Sequence, residues 1–203
     1  MKVALIGASG MVGSRILAEL SSRGHQVTAI ARNTEKIAKG AGVTPLAVDA
    51  LDEAALAGAL KGHDAVISSV HFTASDPKVL IGAVKQSAVP RYLVVGGAGS
   101  LEVAPGVKLF DTPQFPAIYL TEAKAGAAFL DLLKAESALD WSYLSPSAMI
   151  SPGERTGKFR LGLDSLLVDA AGTSAISAED FAIAMVDELE APKHSRKRFT
   201  VGY

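Results

Sequence analysis

Apolar residues along this chain fall into short continuous runs that alternate with segments of helical periodicity. The first run, "KVALIG", precedes "MVGSRILAELSSRG", where apolar residues recur at helical spacing from Val12 to Leu20. Later runs of the same kind are "QVTAIAR", "VTPLAVD", "DAVISSV", "RYLVVGG", "WSYLSPSAMI" and "RFTVGY". Runs rich in Val, Ile and Leu, without polar alternation, are typical of strands buried on both faces. The pattern therefore predicts a parallel sheet covered by helices on both sides.

The segments between these runs predict the other covering helices. They are "NTEKIAKG", "LDEAALAGALKG", "PKVLIGAVKQSAV", "TEAKAGAAFLDLLKAESA" and "ISAEDFAIAMVDELEAP". We expect Ser177 to cap the last helix, with Asp180 at the third position, where a capping box usually has Glu. Strands and helices that alternate through short connections predict right-handed crossovers. The fold class is therefore α/β, with a Rossmann-type, doubly wound parallel sheet.

The length and the loops indicate a single domain. Residues 100–119 and the stretch after residue 150 are rich in Pro and Gly and show no clear period, so both are predicted as loops. The first is long and lies on the carboxyl-end side of the sheet, where long loops are commonly functional. We expect one NAD(P)-binding domain over residues 1–203, with a Rossmann core to about residue 150. Residues from about 151 to 203 would form a carboxyl-terminal extension that shapes a substrate pocket.

The composition excludes several classes of function. The net charge is −1 at pH 7, so no basic surplus indicates a nucleic acid or an anionic membrane as partner. We expect a small-molecule substrate and a monomer or homodimer. The chain has no cysteine, and its four histidines show no metal-ligand spacing, so no metal site is predicted. The apolar run "VALI" ends at Gly7 and is too short for a signal-peptide core, which indicates a cytoplasmic protein.

The glycine-rich stretch "GASGMVG" lies between the first strand and the first helix. A dinucleotide pyrophosphate binds backbone N–H groups at a helix N-terminus, so side chains must be absent where the backbone approaches it. In this context Gly7 would form the turn, Gly10 would let the backbone reach the pyrophosphate, and Gly13 would let the helix pack on the strand. The alternative is a tight turn that binds no ligand.

The end of the second strand bears on the choice of nucleotide. An NAD site usually has Asp or Glu there for the ribose 2′-hydroxyl, whereas an NADP site has a basic residue for the 2′-phosphate. Here Arg32 follows the strand, and no carboxylate occurs before Glu35. NADPH is therefore predicted, unless Arg32 is a solvated surface residue. Asp49, after the third strand, accepts from the adenine amine or caps its own loop.

These segments carry a resemblance to a known family. With "GASGMVG", "ARN", "VDALDEAALAGALKGHDAVISSV", "YLVVGGAGS" and "DWSYLSPSAMISPGERTG", the chain resembles an atypical short-chain dehydrogenase/reductase over essentially its whole length. More narrowly it is similar to the small NAD(P)H-binding proteins grouped as NADH-flavin reductases. These are related to the biliverdin/flavin reductase and to nitrogen-metabolite-repression regulators. The resemblance implies NADP(H), or NAD(H), as cofactor, with FMN or FAD as substrate rather than tightly bound group.

The resemblance also assigns residues to parts of the cofactor. It implies at the pyrophosphate Gly7, Ala8, Ser9, Gly10, Met11 and Val12, and at the 2′-phosphate Arg32 and Asn33. It implies near adenine Asp49 and Ala50, and at the nicotinamide ribose Ser69, Val70, Gly96, Gly97 and Ala98. The loop "LSPSAM", with Ser145 and Pro146, would cover the nicotinamide and shape the substrate pocket.

The family's usual catalytic pair is a Tyr and a Lys four residues apart, in which Tyr passes a proton to the substrate carbonyl. Here the candidates Tyr119 and Lys124 are five residues apart. On one helix this spacing turns the second side chain about 100° away from the shared face. The two can meet only if Tyr119 precedes the helix proper.

The departure from the Tyr/Lys spacing favours one reaction class. Hydride transfer to a flavin needs little from the protein beyond positioning, because the cofactor carries the chemistry. We therefore expect an NAD(P)H-dependent oxidoreductase, NADPH preferred, that reduces flavin or another small conjugated, quinone-like acceptor. The alternatives are a non-catalytic NADP(H)-sensing regulator and an epimerase or dehydratase, although the latter would need an in-register Tyr/Lys pair.

Two further features are candidates for substrate contacts. His71 follows "VISSV", where it could face the nicotinamide and donate a proton; the alternative is a loop histidine bonded to backbone. The loop "SPGERTGKFR" contains four charged residues that could clamp an anionic flavin phosphate or a carboxylate substrate, or could simply be solvated. They are Glu154, Arg155, Lys158 and Arg160.

Overall fold

An eight-stranded sheet forms the centre of the protein, in a computed structural model that describes residues 1–203. The strands are β1 (Lys2–Ile6), β2 (Gln26–Ala31), β3 (Val43–Ala47), β4 (Ala65–Ser68), β5 (Arg91–Val95), β6 (Glu102–Ala104), β7 (Val107–Lys108), β8 (Asp140–Ser145), β9 (Met149–Ser151), β10 (Arg160–Gly162), β11 (Ala175–Ser177) and β12 (Lys197–Gly202). The helices are α1 (Met11–Ser22), α2 (Glu53–Leu60), α3 (Pro77–Ser87), α4 (Leu120–Ala135) and α5 (Ala178–Glu190).

The strand order in the main sheet is β10-β12-β8-β5-β4-β1-β2-β3. All neighbours are parallel except β10, which is antiparallel to β12. From β1 the chain runs outward to β2 and β3, then crosses back to β4 and continues the other way. The predicted Rossmann-type, doubly wound α/β fold is confirmed. In such a sheet the ligand crevice lies outside the carboxyl ends of the strands where the order reverses, here between β1 and β4.

Apolar cores lie on both faces of the sheet, as the continuous apolar runs predict. On one face α1 and α5 cover a cluster that includes Leu5, Leu17 and Phe181. On the other face α2, α3 and α4 cover a cluster that includes Phe129 and Trp141. None of the helices combines the length and the apolar composition that a membrane span requires.

One predicted helix is absent. The segment "NTEKIAKG" contains turns and irregular backbone but no helix. Asn33 Oδ1 accepts a hydrogen bond from the Glu35 amide at 2.8 Å, and such a local bond competes with helix formation. Because no helix follows β2, the edge strand β3 stays largely exposed.

Two other segments differ from their predicted form. The predicted strand "WSYLSPSAMI" is divided into β8 and β9 around Pro146, which cannot donate a backbone hydrogen bond within a strand. Residues 100–119, predicted as a loop, include the β6–β7 hairpin and 3-10 turns at Leu109–Asp111 and Ala117–Tyr119.

Residues 151–203 are built into the main sheet. They supply β10 and β12, while α5 packs beside α1. Ser177 caps α5 as predicted, since its Oγ accepts from the Asp180 amide at 3.0 Å. The Asp180 carboxylate does not complete a capping box. It accepts instead from the amides of Thr156 and Gly157, each at 2.8 Å, and so fastens the loop before β10 to this helix.

Candidate functional site

A cleft of about 370 Å³ opens at the carboxyl edge of the sheet, where the strand order reverses. Its walls come from the ends of β1, β2, β4 and β5, from the first turn of α1, and from one residue of α4. The lining residues are Ile6, Gly7, Ser9, Gly10, Met11, Val12, Ile30, Ala31, Arg32, Val48, Asp49, Ala50, Ser69, Val70, His71, Phe72, Ala74, Val95, Gly96 and Glu122. Most of the predicted cofactor residues are therefore brought together here.

Two of the three glycines in "GASGMVG" are required by the fold itself. Gly7 has φ +85°, and a Cβ on it would overlap the carbonyl oxygen of Ser69. A Cβ on Gly13 would overlap the carbonyl oxygen of Gly7. These contacts match the expected roles of Gly7 in the turn and Gly13 in close packing of α1 on β1.

Gly10 has no such internal reason to be a glycine. A Cβ there would lie 3.5 Å from the Gly7 carbonyl oxygen, which is ordinary contact, and φ is −74°. Gly10 is exposed, lines the cleft, and is the N-cap of α1, where no side chain caps the helix. The unpaired amides of the first turn attract anions, and a bare backbone lets a phosphate approach them. These residues therefore fit a dinucleotide pyrophosphate.

A small basic pocket extends the cleft beyond β2. It is lined by Ser9, Arg32, Asn33 and Lys36. Arg32 and Lys36 are exposed and take part in no ion pair, so both remain available to an anion. Asn33 lies here too, but its Oδ1 is occupied by the Glu35 amide. The pocket's two cations suit a phosphate better than a bare ribose hydroxyl.

Sequence reasoning missed Lys36. The signal was present, since a second basic residue follows Arg32 by four positions. The segment was assigned to a helix, however, and the structure places it in an irregular loop that folds back beside Ser9.

Asp49 fills one of its two predicted roles, as a cap of its own loop. Its Oδ1 accepts from the Leu51 amide at 3.0 Å, so one carboxylate oxygen caps the loop after β3. The residue also lines the cleft beside Val48 and Ala50, and Oδ2 has no partner in the protein. Oδ2 is therefore the atom available to an adenine amine.

At the opposite end the cleft is bordered by Ser69, Val70 and Gly96, as predicted. A Cβ on Gly96 would overlap the ring of Tyr143. Tyr143 is fully buried, donates to the Gly126 carbonyl at 3.0 Å, and accepts from the Gly97 amide at 3.1 Å. Burial raises the pKa of Tyr143. This tyrosine therefore holds the loop after β5 and is not positioned to exchange protons.

Several predicted cofactor residues do not line the cleft. Ala8 is fully buried in the α1 side of the core, and its amide donates to Ile30 at 3.2 Å. Gly97 and Ala98 are half-buried after Gly96, and the Gly97 amide donates to the Tyr143 hydroxyl. Ser145 and Pro146 are also buried. The loop "LSPSAM" contributes no wall to the cleft, because its first residues continue β8 into the sheet.

The structure does not bring Tyr119 and Lys124 together. Tyr119 ends a 3-10 turn immediately before α4 and is 61% exposed, and Lys124 is exposed one turn into that helix. Neither residue lines the cleft, and neither side chain makes a hydrogen bond. Tyr119 precedes the helix proper, the arrangement in which the two could meet, but no hydrogen bond joins them and neither reaches the cleft. They do not form the family's usual pair.

The residue of α4 that does line the cleft is Glu122, which sequence reasoning missed. Its carboxylate accepts from the amides of Phe72 and Thr73 at 2.7 and 3.0 Å, and His71 Nδ1 lies 3.4 Å from its Oε1. His71 is thus at the rim as predicted, with a carboxylate beside it rather than a backbone partner. Glu122 is 51 residues from His71, and no local pattern links the two.

The charged loop before β10 is occupied by internal contacts. Arg155 donates two hydrogen bonds to Glu19 on α1, at 2.9 and 2.8 Å, and Arg160 donates to the carbonyls of Val168 and Tyr203. Neither Glu154 nor Lys158 lines the cleft. The structure therefore does not provide the predicted clamp for a flavin phosphate or a carboxylate.

Comparisons with known proteins agree with this geometry. A family model described as NAD(P)H-binding matches residues 7–192. The uncharacterized protein YwnB of Bacillus subtilis is 42% identical over 99% of this chain and 98% of its own length. A solved structure from Bacteroides thetaiotaomicron, provisionally described as an epimerase, is 45% identical over 100% of this chain and 96% of the other, with a TM-score of 0.95. Another from Streptococcus pneumoniae, provisionally described as an NADH-flavin reductase, is 36% identical over 100% and 99%, with a TM-score of 0.86.

Proposed function

The chain belongs to the NAD(P)H-binding family, and from that premise we propose that it is an oxidoreductase that uses NADPH to reduce a flavin or another small conjugated acceptor. When bound, the nicotinamide supplies hydride. The amides of the first turn of α1 hold the pyrophosphate, and the loop after β3 borders the adenine. Arg32 and Lys36 hold the 2′-phosphate, while Ser69, Val70 and Gly96 border the nicotinamide ribose.

The observation that carries this proposal is the bare backbone at Gly10, with the pocket of Arg32 and Lys36 beyond it. Gly10 is open to the cleft without any packing need for glycine, which supports a ligand that approaches the backbone there. The two cations have no partner in the protein and supply charge-assisted hydrogen bonds to a phosphate.

The choice of acceptor rests on what the cleft contains. Tyr119 and Lys124 lie outside it, so reduction of a ketone by the family's usual proton donor has no support. An epimerase or dehydratase of this family would need the same pair. A conjugated acceptor needs chiefly an open face beside the nicotinamide. The name of the Streptococcus pneumoniae relative supports this reaction class.

The test of the proposed function is turnover. Purified protein with NADPH and a panel of FMN, FAD, riboflavin and quinones should lose absorbance at the nicotinamide band, in proportion to protein concentration. Binding of NADPH without oxidation by any acceptor would contradict the proposal and indicate a non-catalytic sensor of NADP(H).

Replacing Arg32 by Asp should reverse the cofactor preference from NADPH to NADH. The change removes a partner of the 2′-phosphate and places a carboxylate where it can accept from a ribose hydroxyl. Hydrogen bonds to charged groups contribute about 1.5–3 kcal/mol each, so the dissociation constant for NADPH should rise roughly 10- to 100-fold. Fluorescence titration with both nucleotides measures the two constants.

Lys39→Asp is the matched control for Arg32→Asp. Lys39 is exposed, lies outside the basic pocket, and gives the same change in net charge. Its affinity for NADPH should stay close to that of the wild type. Equal losses in both variants would mean that long-range charge, rather than contact with Arg32, sets the preference.

A further inference from the structure

The turn after β4 lines the end of the cleft where the nicotinamide is proposed to bind, and contacts with α4 hold it in place. It runs from His71 through a 3-10 turn at Phe72–Ala74. The ring of Phe72 packs edge-on against Phe129, with ring centres 6.2 Å apart. A Cβ on Gly126 would lie 2.7 Å from the Phe72 ring, so the glycine makes the space that this ring fills. The backbone of the turn is therefore fixed relative to α4.

Glu122 completes this attachment with its carboxylate. Oε1 accepts from the Phe72 amide at 2.7 Å, and Oε2 accepts from the Thr73 amide at 3.0 Å and the Thr73 hydroxyl at 2.6 Å. Partial burial raises the pKa of Glu122, but hydrogen bonds from Thr73 and Phe72 outweigh burial and hold that pKa below its ordinary value. The carboxylate is therefore negatively charged at neutral pH.

The imidazole of His71 lies beside the same carboxylate. Nδ1 lies 3.4 Å from Glu122 Oε1, and the ring is 86% exposed. A carboxylate beside Nδ1 favours the tautomer with the proton on that nitrogen. Nε2, on the other side of the ring, has no partner in the protein and is open to the cleft and to water. The Glu122 carboxylate, the His71 imidazole and the open cleft therefore lie side by side at the rim.

No other charged group is paired with this imidazole. Glu122 is the contribution of α4, and Ser69, Val70 and Gly96, from the ends of β4 and β5, are uncharged. At the start of α3, Asp76 caps its own helix by accepting from the Lys78 amide at 2.8 Å. Glu122 is therefore the charged group that lies beside His71.

We propose, resting on the function proposed above, that His71 donates a proton to the reduced acceptor, that Glu122 is its positioning residue, and that the acceptor is an uncharged quinone. A quinone takes up hydride, with its electron pair, from the dihydronicotinamide, which is thereby oxidised. The remaining quinone oxygen becomes negatively charged and takes the proton from His71 Nε2, which yields the hydroquinone. Water returns a proton to the exposed ring.

The charge of the cleft supports an uncharged acceptor. Its lining contains the cation Arg32 and the carboxylate of Asp49 at one end, and His71 with the carboxylate of Glu122 at the other. Arg155 and Arg160 are occupied by Glu19 and by backbone carbonyls. Beside His71, an anionic acceptor such as FMN would meet the Glu122 carboxylate without an arginine or lysine of the cleft wall to offset it. An uncharged quinone meets no such repulsion.

Two acceptors distinguish proton transfer from hydride transfer. Reduction of 2-methyl-1,4-naphthoquinone needs a proton, whereas the N-methylphenazinium cation becomes neutral by accepting hydride alone. In His71→Gln the kcat for the quinone should fall about 100-fold, the usual contribution of a general acid. The ratio of quinone to phenazinium rates, after subtraction of the uncatalysed reaction, should fall at least about 30-fold.

A second readout needs neither cofactor nor turnover. Two-bond ¹H–¹⁵N spectra of the cofactor-free protein report which ring nitrogen of neutral His71 carries the proton. The wild type should show the proton on Nδ1, and Glu122→Gln should shift the population toward Nε2. Asp131→Asn, which removes an exposed, unpaired carboxylate from the same helix, should leave both the spectrum and the rate ratio unchanged.

The charge of the acceptor is tested with a matched pair of quinones. The KM for 1,4-naphthoquinone-2-sulfonate should exceed that for the 2-methyl compound, and Glu122→Gln should reduce the difference. Equal KM values in the wild type would overturn the assignment to an uncharged acceptor.

The outcomes separate this inference from the proposed function. Wild-type turnover with quinone, together with an unchanged rate ratio in His71→Gln, would contradict the role of His71 but not the proposed reductase activity. A wild type that oxidises NADPH with neither acceptor would overturn the proposed function, and this inference with it.

Discussion

Replacing Gly10 by alanine should abolish most of the affinity for NADPH while leaving the fold intact. The new Cβ meets no protein atom closer than 3.5 Å, and the backbone at this position suits any residue. It would, however, stand between the amides of α1 and the pyrophosphate. Loss of two charge-assisted hydrogen bonds, each worth about 1.5–3 kcal/mol, corresponds to roughly 100-fold or more in the dissociation constant. Calorimetric titration and thermal unfolding measure both effects.

Gly13→Ala supplies the opposite expectation from the same motif. Its Cβ would overlap the Gly7 carbonyl oxygen, so α1 must move away from β1. Overpacking of this kind costs about 1–3 kcal/mol or more, and the melting temperature should fall accordingly. Gly58→Ala, in open space on α2, is the control and should raise stability by about 1 kcal/mol through helix propensity. Unfolding of Gly10→Ala, or its unaltered affinity for NADPH, would contradict the role given to Gly10.

The second large effect is expected at Glu188, far from the cleft. This carboxylate is 3% exposed and accepts from Arg91 at 2.9 Å, Ser142 at 3.0 Å and His194 Nδ1 at 2.8 Å. It joins α5 to β5, β8 and the segment before β12. Its removal leaves the buried guanidinium of Arg91 with one weaker carboxylate partner, the 41% exposed Asp140 at 3.2 Å. Glu188→Ala should therefore lose about 3–5 kcal/mol of unfolding free energy. Urea denaturation measures the loss.

Asp187→Ala is the control for Glu188→Ala. It removes the neighbouring carboxylate of α5, which is 55% exposed and paired with Arg23 at 2.8 Å. An exposed ion pair contributes at most about 1 kcal/mol, so a small change is expected. Comparable losses in the two variants would mean that the buried cluster around Glu188 contributes no more to the unfolding free energy than an exposed ion pair does.

The same cluster predicts how stability depends on pH. Burial raises the pKa of Glu188, but hydrogen bonds from His194 and Lys193 outweigh burial and hold that pKa below its ordinary value of 4.5. The stabilising contribution is therefore complete above the pKa of the unfolded chain and is lost as the pH falls through the lower, folded value. Acidification should destabilise the wild type more steeply than Glu188→Ala.

The sequence alone was enough for the fold and for the glycine turn between β1 and α1. Continuous apolar runs report burial on both faces of a strand, and this pattern is local, so β1, β2, β4, β5 and β8 could be recognised. The glycine spacing after β1 is equally local, because the turn and the first turn of α1 are consecutive in the chain. Arg32 could be placed for the same reason, since it follows directly from β2.

Other features of the cleft were decided by tertiary structure. Whether "NTEKIAKG" becomes a helix depends on a side-chain hydrogen bond at Asn33 that competes with the backbone. Because the helix is absent, Lys36 lies beside Ser9. Arg155 faces Glu19 rather than a substrate, although 136 residues separate them. Such pairs follow from how α1, α5 and the loops pack, which no local period records.

The contrast between what the sequence predicts and what the tertiary structure decides is clearest where the turn after β4 meets α4. The sequence pattern predicts His71 just after β4, and the family's Tyr/Lys spacing suggests Tyr119 and Lys124 as the catalytic pair. Only the packing of α4 against the turn after β4 brings Glu122 to His71 and leaves the tyrosine and the lysine outside. Local periodicity determines which segments are strands and where the glycine turn lies. The partner of a titratable side chain is determined by contacts between distant segments, and these exist only in the folded chain.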